Sequence, residues 1–180
     1  IYRMRAVVTD EVGRKVTRER LVGGFASARR TGKAPTIDGK LDEPAWNGAK
    51  PMLISEKRQF SHLGRDNADT WRDASDLSGK WRAAWDADNL YIGVEVTDDA
   101  HRVQFADSSI WNQDGLQFLF DPTRTLSEKA GKYDYSVGKG TRGEQAWCHL
   151  TAHSSVPDGE MKRFKIAVAE MTGSPGGRIY

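Results

Sequence analysis

Two alternating runs, joined by four polar or small residues, constrain this chain more than any other feature. In Lys80 to Asp86 (KWRAAWD), Trp81, Ala83 and Trp85 fall on one side while Lys80 and Arg82 fall on the other. In Leu90 to Thr97 (LYIGVEVT), Leu90, Ile92, Val94 and Val96 alternate with Tyr91, Gly93, Glu95 and Thr97. A period of two sorts residues onto the opposite faces of a strand, whereas a helix would scatter them around its axis. Asp86-Ala87-Asp88-Asn89 supplies the turn, so the pair predicts a half-buried antiparallel hairpin.

Similar signals recur along the chain. Tyr2 to Thr9 and Lys15 to Val22 read as a first hairpin. Gly115 to Asp121 (GLQFLFD) reads as a strand with Leu116, Phe118 and Phe120 inward, and further strands are expected at 132–137, 145–152 and 161–170. Helix signals are few: Asp42 is placed to cap a brief turn that tolerates Pro44 in its first positions, and 56–79 reads as a long polar loop with at most one helical turn. Many short strands between Gly, Asp and Asn turns predict an all-β chain, an antiparallel β-sandwich or jelly roll. The small and charged stretch from Gly23 to Lys33 reads as a linker. Residues 1–30 are therefore expected to be the end of a preceding β domain plus linker, and 31–180 a sandwich. With Ile1 already in strand pattern and Arg178-Ile179-Tyr180 resembling a strand opening, both ends read as cut from a longer, multidomain polypeptide.

Charge narrows the function. The 27 basic and 25 acidic residues are interspersed, for a net charge of +2, and give no basic stripe for nucleic acid. No apolar run approaches the roughly 20 residues of a membrane-spanning helix. Cys148 stands alone, which excludes an internal disulfide framework, and its alternation with Trp147 and His149 places it as a small buried residue. His62, His101, His149 and His153 form no metalloprotease pattern, and no nucleophile elbow, phosphate loop or dinucleotide fingerprint is present. The chain is read as noncatalytic.

The tryptophans carry the positive evidence. Trp111 lies between Asp107-Ser108-Ser109 and Asn112-Gln113-Asp114, a polar setting in which core packing poorly explains an indole. A tryptophan in such a loop can also pack beneath it. An exposed ring would cover the apolar face of a pyranose while neighbouring amides and carboxylates satisfy the hydroxyl rim. Trp147 shares a strand face with Gln145 and His149 and is a second candidate for lining a groove. Trp81 and Trp85 are read as core, Trp46 as a plug at one end of the sandwich, and Trp71 as either a loop anchor or a contact. Acidic turns at Asp98, Asp99, Asp107 and Asp114 raise the question of structural calcium, which takes six to eight oxygens; solvated turn aspartates are the commoner case. A haem-binding sandwich would need a Met/His pair, and Met52, Met161 and Met171 show no pairing.

Three segments, Pro35 to Trp46 (PTIDGKLDEPAW), Ala83 to Asp98 (AAWDADNLYIGVEVTD) and Ile110 to Asp121 (IWNQDGLQFLFD), together resemble the family 9 carbohydrate-binding modules. The likeness covers roughly residues 34–180. It implies a noncatalytic two-sheet sandwich, often appended to secreted xylan- or cellulose-degrading enzymes, that grips a glucan or xylan end between two tryptophans. It further implies polar side chains on the sugar hydroxyls and calcium in acidic loops. Trp111 matches the first stacking tryptophan. Gln117 stands where the motif usually has a hydrogen-bonding glutamate, so the acceptor is kept and the charge lost. The second family tryptophan would fall beyond Tyr180. On this reading Trp111, Asn112, Gln117 and Trp147 bind a polysaccharide or oligosaccharide, with Asp98, Asp99 and Asp114 as calcium ligands. The rival reading is a structural or interaction sandwich without a sugar site.

Overall fold

The computed structural model describes residues 2–9, 15–22, 27–59, 71–120, 133–150, 159–161, 164–174 and 177–179. Its elements are almost all strands: β1 (Tyr2–Thr9), β2 (Lys15–Val22), β3 (Arg29–Arg30), β4 (Met52–Ile54), β5 (Leu77–Trp85), β6 (Leu90–Asp98), β7 (Leu116–Phe120), β8 (Tyr133–Gly140), β9 (Gly143–Leu150), β10 (Gly159–Glu160), β11 (Met171–Ser174) and β12 (Gly177–Ile179). Short 3-10 turns interrupt them at Pro44–Trp46 (η1), Lys57–Gln59 (η2) and Asp107–Asn112 (η3). β1 and β2 pair as the expected hairpin. The sandwich has two sheets, one ordered β11-β12-β6-β5-β3 with β4 also on β5, the other β10-β9-β8-β7. β3 runs parallel to β5 at Ala84 and Trp85 while β4 pairs antiparallel with Gly79 to Trp81, so Arg29 and Arg30 already belong to the first sheet.

The central hairpin forms as its alternation predicts, in unbroken register from Leu77↔Asp98 to Trp85↔Leu90. Its turn is held by Asp86, whose Oδ1 accepts the backbone N–H groups of Asp88 and Asn89 at 2.9 and 2.8 Å. β5 begins three residues earlier than the alternation of Lys80 to Asp86 indicates, because Leu77-Ser78-Gly79 continue the ladder against Val96 to Asp98. The supposed 56–79 loop is correspondingly shorter; its described parts are η2, a turn at 74–76 and the start of β5, and 60–70 lies outside the described residues. Of the expected 161–170 strand, residues 164–170 are not in a strand; pairing occurs instead at β10, β11 and β12. Of the expected 132–137 and 145–152 strands, 133–137 lies in β8 and 145–150 in β9, while 132 and 151–152 lie outside the described residues.

On the second sheet, cross-strand register places Leu116, Phe118, Phe120, Tyr133, Tyr135, Val137, Ala146 and Cys148 on one face. Ala146 and Cys148 are buried there, and Tyr135 packs against Phe120 and Phe164 with ring centroids 5.9 and 5.1 Å away. Such offset and edge contacts add modestly to the apolar burial that holds the sheets together.

The Pro35 to Trp46 segment is a clasp. Glu43, not Asp42, precedes η1, and it caps no backbone N–H of that turn; Pro44 enters the first position, where a missing N–H costs nothing. Glu43 instead reaches outward: Oε1 accepts the Thr36 backbone N–H at 2.8 Å and Oε2 accepts Trp46 Nε1–H at 3.0 Å. Trp46 is 5% exposed and lies with Leu41 over Gly93 of β6, where a β-carbon would come 2.7 Å from Leu41 Cδ2 and 3.2 Å from Trp46 Cη2. Gly39 turns the chain at φ +83°, with the place of its missing β-carbon 2.6 Å from the Ala169 backbone nitrogen. Gly39→Ala is expected to destabilise by about 2–4 kcal/mol, since it adds left-handed strain to a backbone clash. Urea unfolding measures this directly.

Glu95 holds a partly buried charge cluster on this sheet, accepting from Arg82 Nη1 at 2.8 Å and pairing with Lys80. Burial alone would raise its carboxyl, but hydrogen bonds and charges from Lys80 and Arg82 hold it below the ordinary 4.5. A depressed folded-state value stabilises above the unfolded one and is lost as pH falls through it. Glu95→Gln is therefore expected to flatten the pH dependence of unfolding free energy below about pH 4.5, as read from denaturant midpoints.

Candidate functional site

The loop before β7 is built by its amides and carboxylates. Gln113 Oε1 accepts the backbone N–H groups of Gln104 and Phe105 at 2.8 and 2.6 Å, and its Nε2 donates to the Lys139 carbonyl at 2.9 Å. Asp114 accepts from the Arg102 backbone N–H. Asp107 starts η3 at φ 55°, a left-handed conformation that aspartate tolerates better than most residues. It is held there by an ion pair with Arg142 and by Gln145, whose Oε1 accepts the Asp107 N–H at 3.2 Å. Ile110 drives into the interior at 1% exposure, so the next residue is turned outward. Trp111 is 60% exposed, and Asn112 beside it is exposed as well. The ring leaves the interior because its own turn is anchored on both sides.

η3 lies against β8, β9 and β10. Gln145, which ties it down, shares a face of β9 with Trp147 and His149, opposite the Ala146 and Cys148 core face. Along this polar face Gln117, Ser136 and Trp147 are direct cross-strand neighbours on β7, β8 and β9. Gln117 is exposed and Trp147 half-buried. Gln117 Nε2 donates to both oxygens of Asp134, at 2.9 and 3.1 Å. Ser136 is 2% exposed, with its hydroxyl 3.0 Å from His149 Nε2. Gln117 and Trp147 thus stand in one row, and Trp111 and Asn112 stand on the turn that packs over the same sheet.

Each of the three aspartates expected at calcium has a partner within the chain. Asp98 Oδ1 accepts the Ala100 N–H at 3.0 Å, and its carboxyl is raised above the ordinary value by burial first and by the charges of Asp114 and Asp99 after that. Asp99 turns to an ion pair with Arg72, which also holds Asp76 at 2.8 Å. Among the described residues no group of three or more His, Cys, Asp or Glu side chains is gathered to hold a metal ion.

The other tryptophans sort by partner. Trp46 is buried, as a plug should be, and Trp71 anchors its loop by donating Nε1–H to the Leu77 carbonyl at 2.8 Å. Trp81 is half-buried. Trp85 departs from the core reading: it is 41% exposed at the hairpin end, where its cross-strand neighbour Leu90 is also exposed, and the Arg30 guanidinium covers its ring at 5.6 Å from the centroid. A strand-end position and a cation over the ring replace burial there.

Comparison with known protein families matches residues 37–174 to the carbohydrate family 9 binding domain-like family. The chain belongs to this family. The match begins within the Thr36 to Trp46 clasp and spans the central hairpin, the η3 loop and the polar face. Searches of curated proteins and of solved structures returned no match. Sequence reasoning did not single out Glu43, Gln113, Asp134 and Ser136, which the structure places in the clasp, the η3 loop and the polar face. The last two were legible in principle, since in Tyr133-Asp134-Tyr135-Ser136 the tyrosines alternate with polar residues on the face shared with Gln117. Gln113 carries no such signal, because a glutamine in a polar loop looks the same whether it pins backbone or meets solvent.

Proposed function

We propose that this family 9 binding domain holds a neutral polysaccharide or oligosaccharide of the xylan or glucan type, as a noncatalytic unit of a secreted, multidomain glycan-degrading protein. Trp111 is the platform, and Asn112, Gln117 and Trp147 supply hydroxyl partners and a second apolar surface. The observation that carries this reading is the exposure of Trp111 on a turn whose neighbours on both sides are fixed by hydrogen bonds. A pre-positioned ring loses little freedom on binding, which keeps the cost of association low. Tethering such a domain to a catalytic one would raise the local substrate concentration. Calorimetric titration of the chain with xylo- and gluco-oligosaccharides is expected to give saturable binding. A flat titration with every neutral glycan, on a folded sample, would leave the structural-sandwich reading in its place.

A further inference from the structure

Gln117 is anomalous as a sugar-binding residue because its amide is already engaged. A carboxylate only accepts, so the amide nitrogen must be the end that faces Asp134, which fixes the orientation of the side chain. Its oxygen is then directed away from Asp134, and no donor meets that oxygen among the described residues. Asp134 is half-buried, stands on the same polar face and keeps lone pairs beyond those the amide uses.

We propose that Asp134 is the charged acceptor of the sugar-binding face, that Gln117 is its positioning residue, and that the pair selects neutral vicinal diols against uronic acids. The proposal rests on the reading of this face as a glycan site and specifies which residue supplies its charge. A carboxylate accepts from two adjacent hydroxyls, and hydrogen bonds to an ionised group are roughly twice as strong as neutral ones. With Asp134 at hydrogen-bond distance, a glutamate at position 117 would set two carboxylates about 3 Å apart, where both cannot stay ionised at ordinary cost. A glutamine removes that conflict and holds Asp134 in place, so the charge missing from β7 is present one strand over on β8. A uronate brought to the same spot meets like charge across a short distance and is disfavoured.

The test is oligosaccharide affinity for the full chain, measured with a neutral xylo-oligosaccharide and with its glucuronic acid-substituted counterpart at low salt. Wild type should prefer the neutral ligand by about tenfold, and Asp134→Asn should weaken neutral binding about tenfold or more while closing that gap. Gln117→Glu alone should weaken neutral binding comparably. The exchange Asp134→Asn with Gln117→Glu rebuilds one amide and one carboxylate, and should recover affinity to within about threefold of wild type. Neutral affinity unchanged in Asp134→Asn, or a double variant no better than Gln117→Glu, overturns the assignment while leaving the glycan site standing. A wild type that binds no neutral glycan refutes both.

Discussion

Trp46→Ala is expected to destabilise the domain by about 3–5 kcal/mol, the range for truncating a buried tryptophan, with a drop in melting temperature on the order of 10 °C. Three losses combine. The ring that covers Gly93 disappears, and neither glycine nor the fully buried Ala84 nearby on β5 can grow to fill the space. Glu43 loses the indole N–H that its Oε2 accepts, so one end of the clasp between Thr36 and η1 is released. Leu41, which shares the surface of Gly93, is left with a void beside it. Trp46→Phe separates these effects: it retains most of the ring and removes only the donor, and should cost about 1–2 kcal/mol. Chemical denaturation with unchanged slope checks both, since a shift in midpoint alone reports stability. If Trp46→Ala unfolds like wild type, the clasp is an ornament on a sheet that stands without it.

That clasp illustrates what could and could not be read beforehand. The alternating runs on either side of Asp86 to Asn89 specify strand, face and pairing together, because a slip of one residue would move Ile92, Val94 and Val96 to the face that now carries Glu95 and Thr97. Strands without that contrast are less determined. Residues 164–170 (FKIAVAE) are apolar enough to pair, yet the ladder positions go to β11 and β12, a tertiary choice that local propensity does not record. Trp85 satisfies the same alternation as Trp81, but burial also depends on what lies opposite the strand's end, and there Arg30 arrives through β3, a pairing separated by more than 50 residues. In the Asp42-Glu43 pair, short-range capping rules favour aspartate. The structure uses the longer glutamate, because only its reach connects Thr36 to the indole of Trp46.

The site shows the same division. Trp111 was legible because an indole among polar loop residues has few other uses, and Gln117 and Trp147 followed from motif position and strand face. The row of Gln117, Ser136 and Trp147 was not, since it depends on β7, β8 and β9 standing in register, and neither was the tie from Gln145 of β9 to Asp107 of η3. Asp98, Asp99 and Asp114 stand out in the sequence as acidic turn residues, a pattern that does not record the Arg72 guanidinium reaching Asp99 from a loop 27 residues away.

Trp111→Ala should abolish glycan binding within the measurable range, a loss of at least tenfold, and leave stability within about 0.5 kcal/mol of wild type. The two halves of this expectation come from the same fact. With 60% of its surface exposed, the side chain contributes little to packing, and η3 keeps its position through Ile110, Gln113 and the Asp107–Arg142–Gln145 contacts. What disappears is the flat apolar surface that a pyranose ring would cover, and no other side chain of η3 can replace it. Trp111→Phe keeps a smaller ring and should bind weakly. Trp85→Ala is the informative control, because Trp85 is also exposed but lies on the other sheet beneath Arg30, so its removal should leave affinity unchanged. Binding and melting curves taken on the same samples distinguish the cases. Undiminished affinity in Trp111→Ala would move the ligand off this face, and equal losses from Trp111→Ala and Trp85→Ala would mean nonspecific contact with exposed indoles in place of a site.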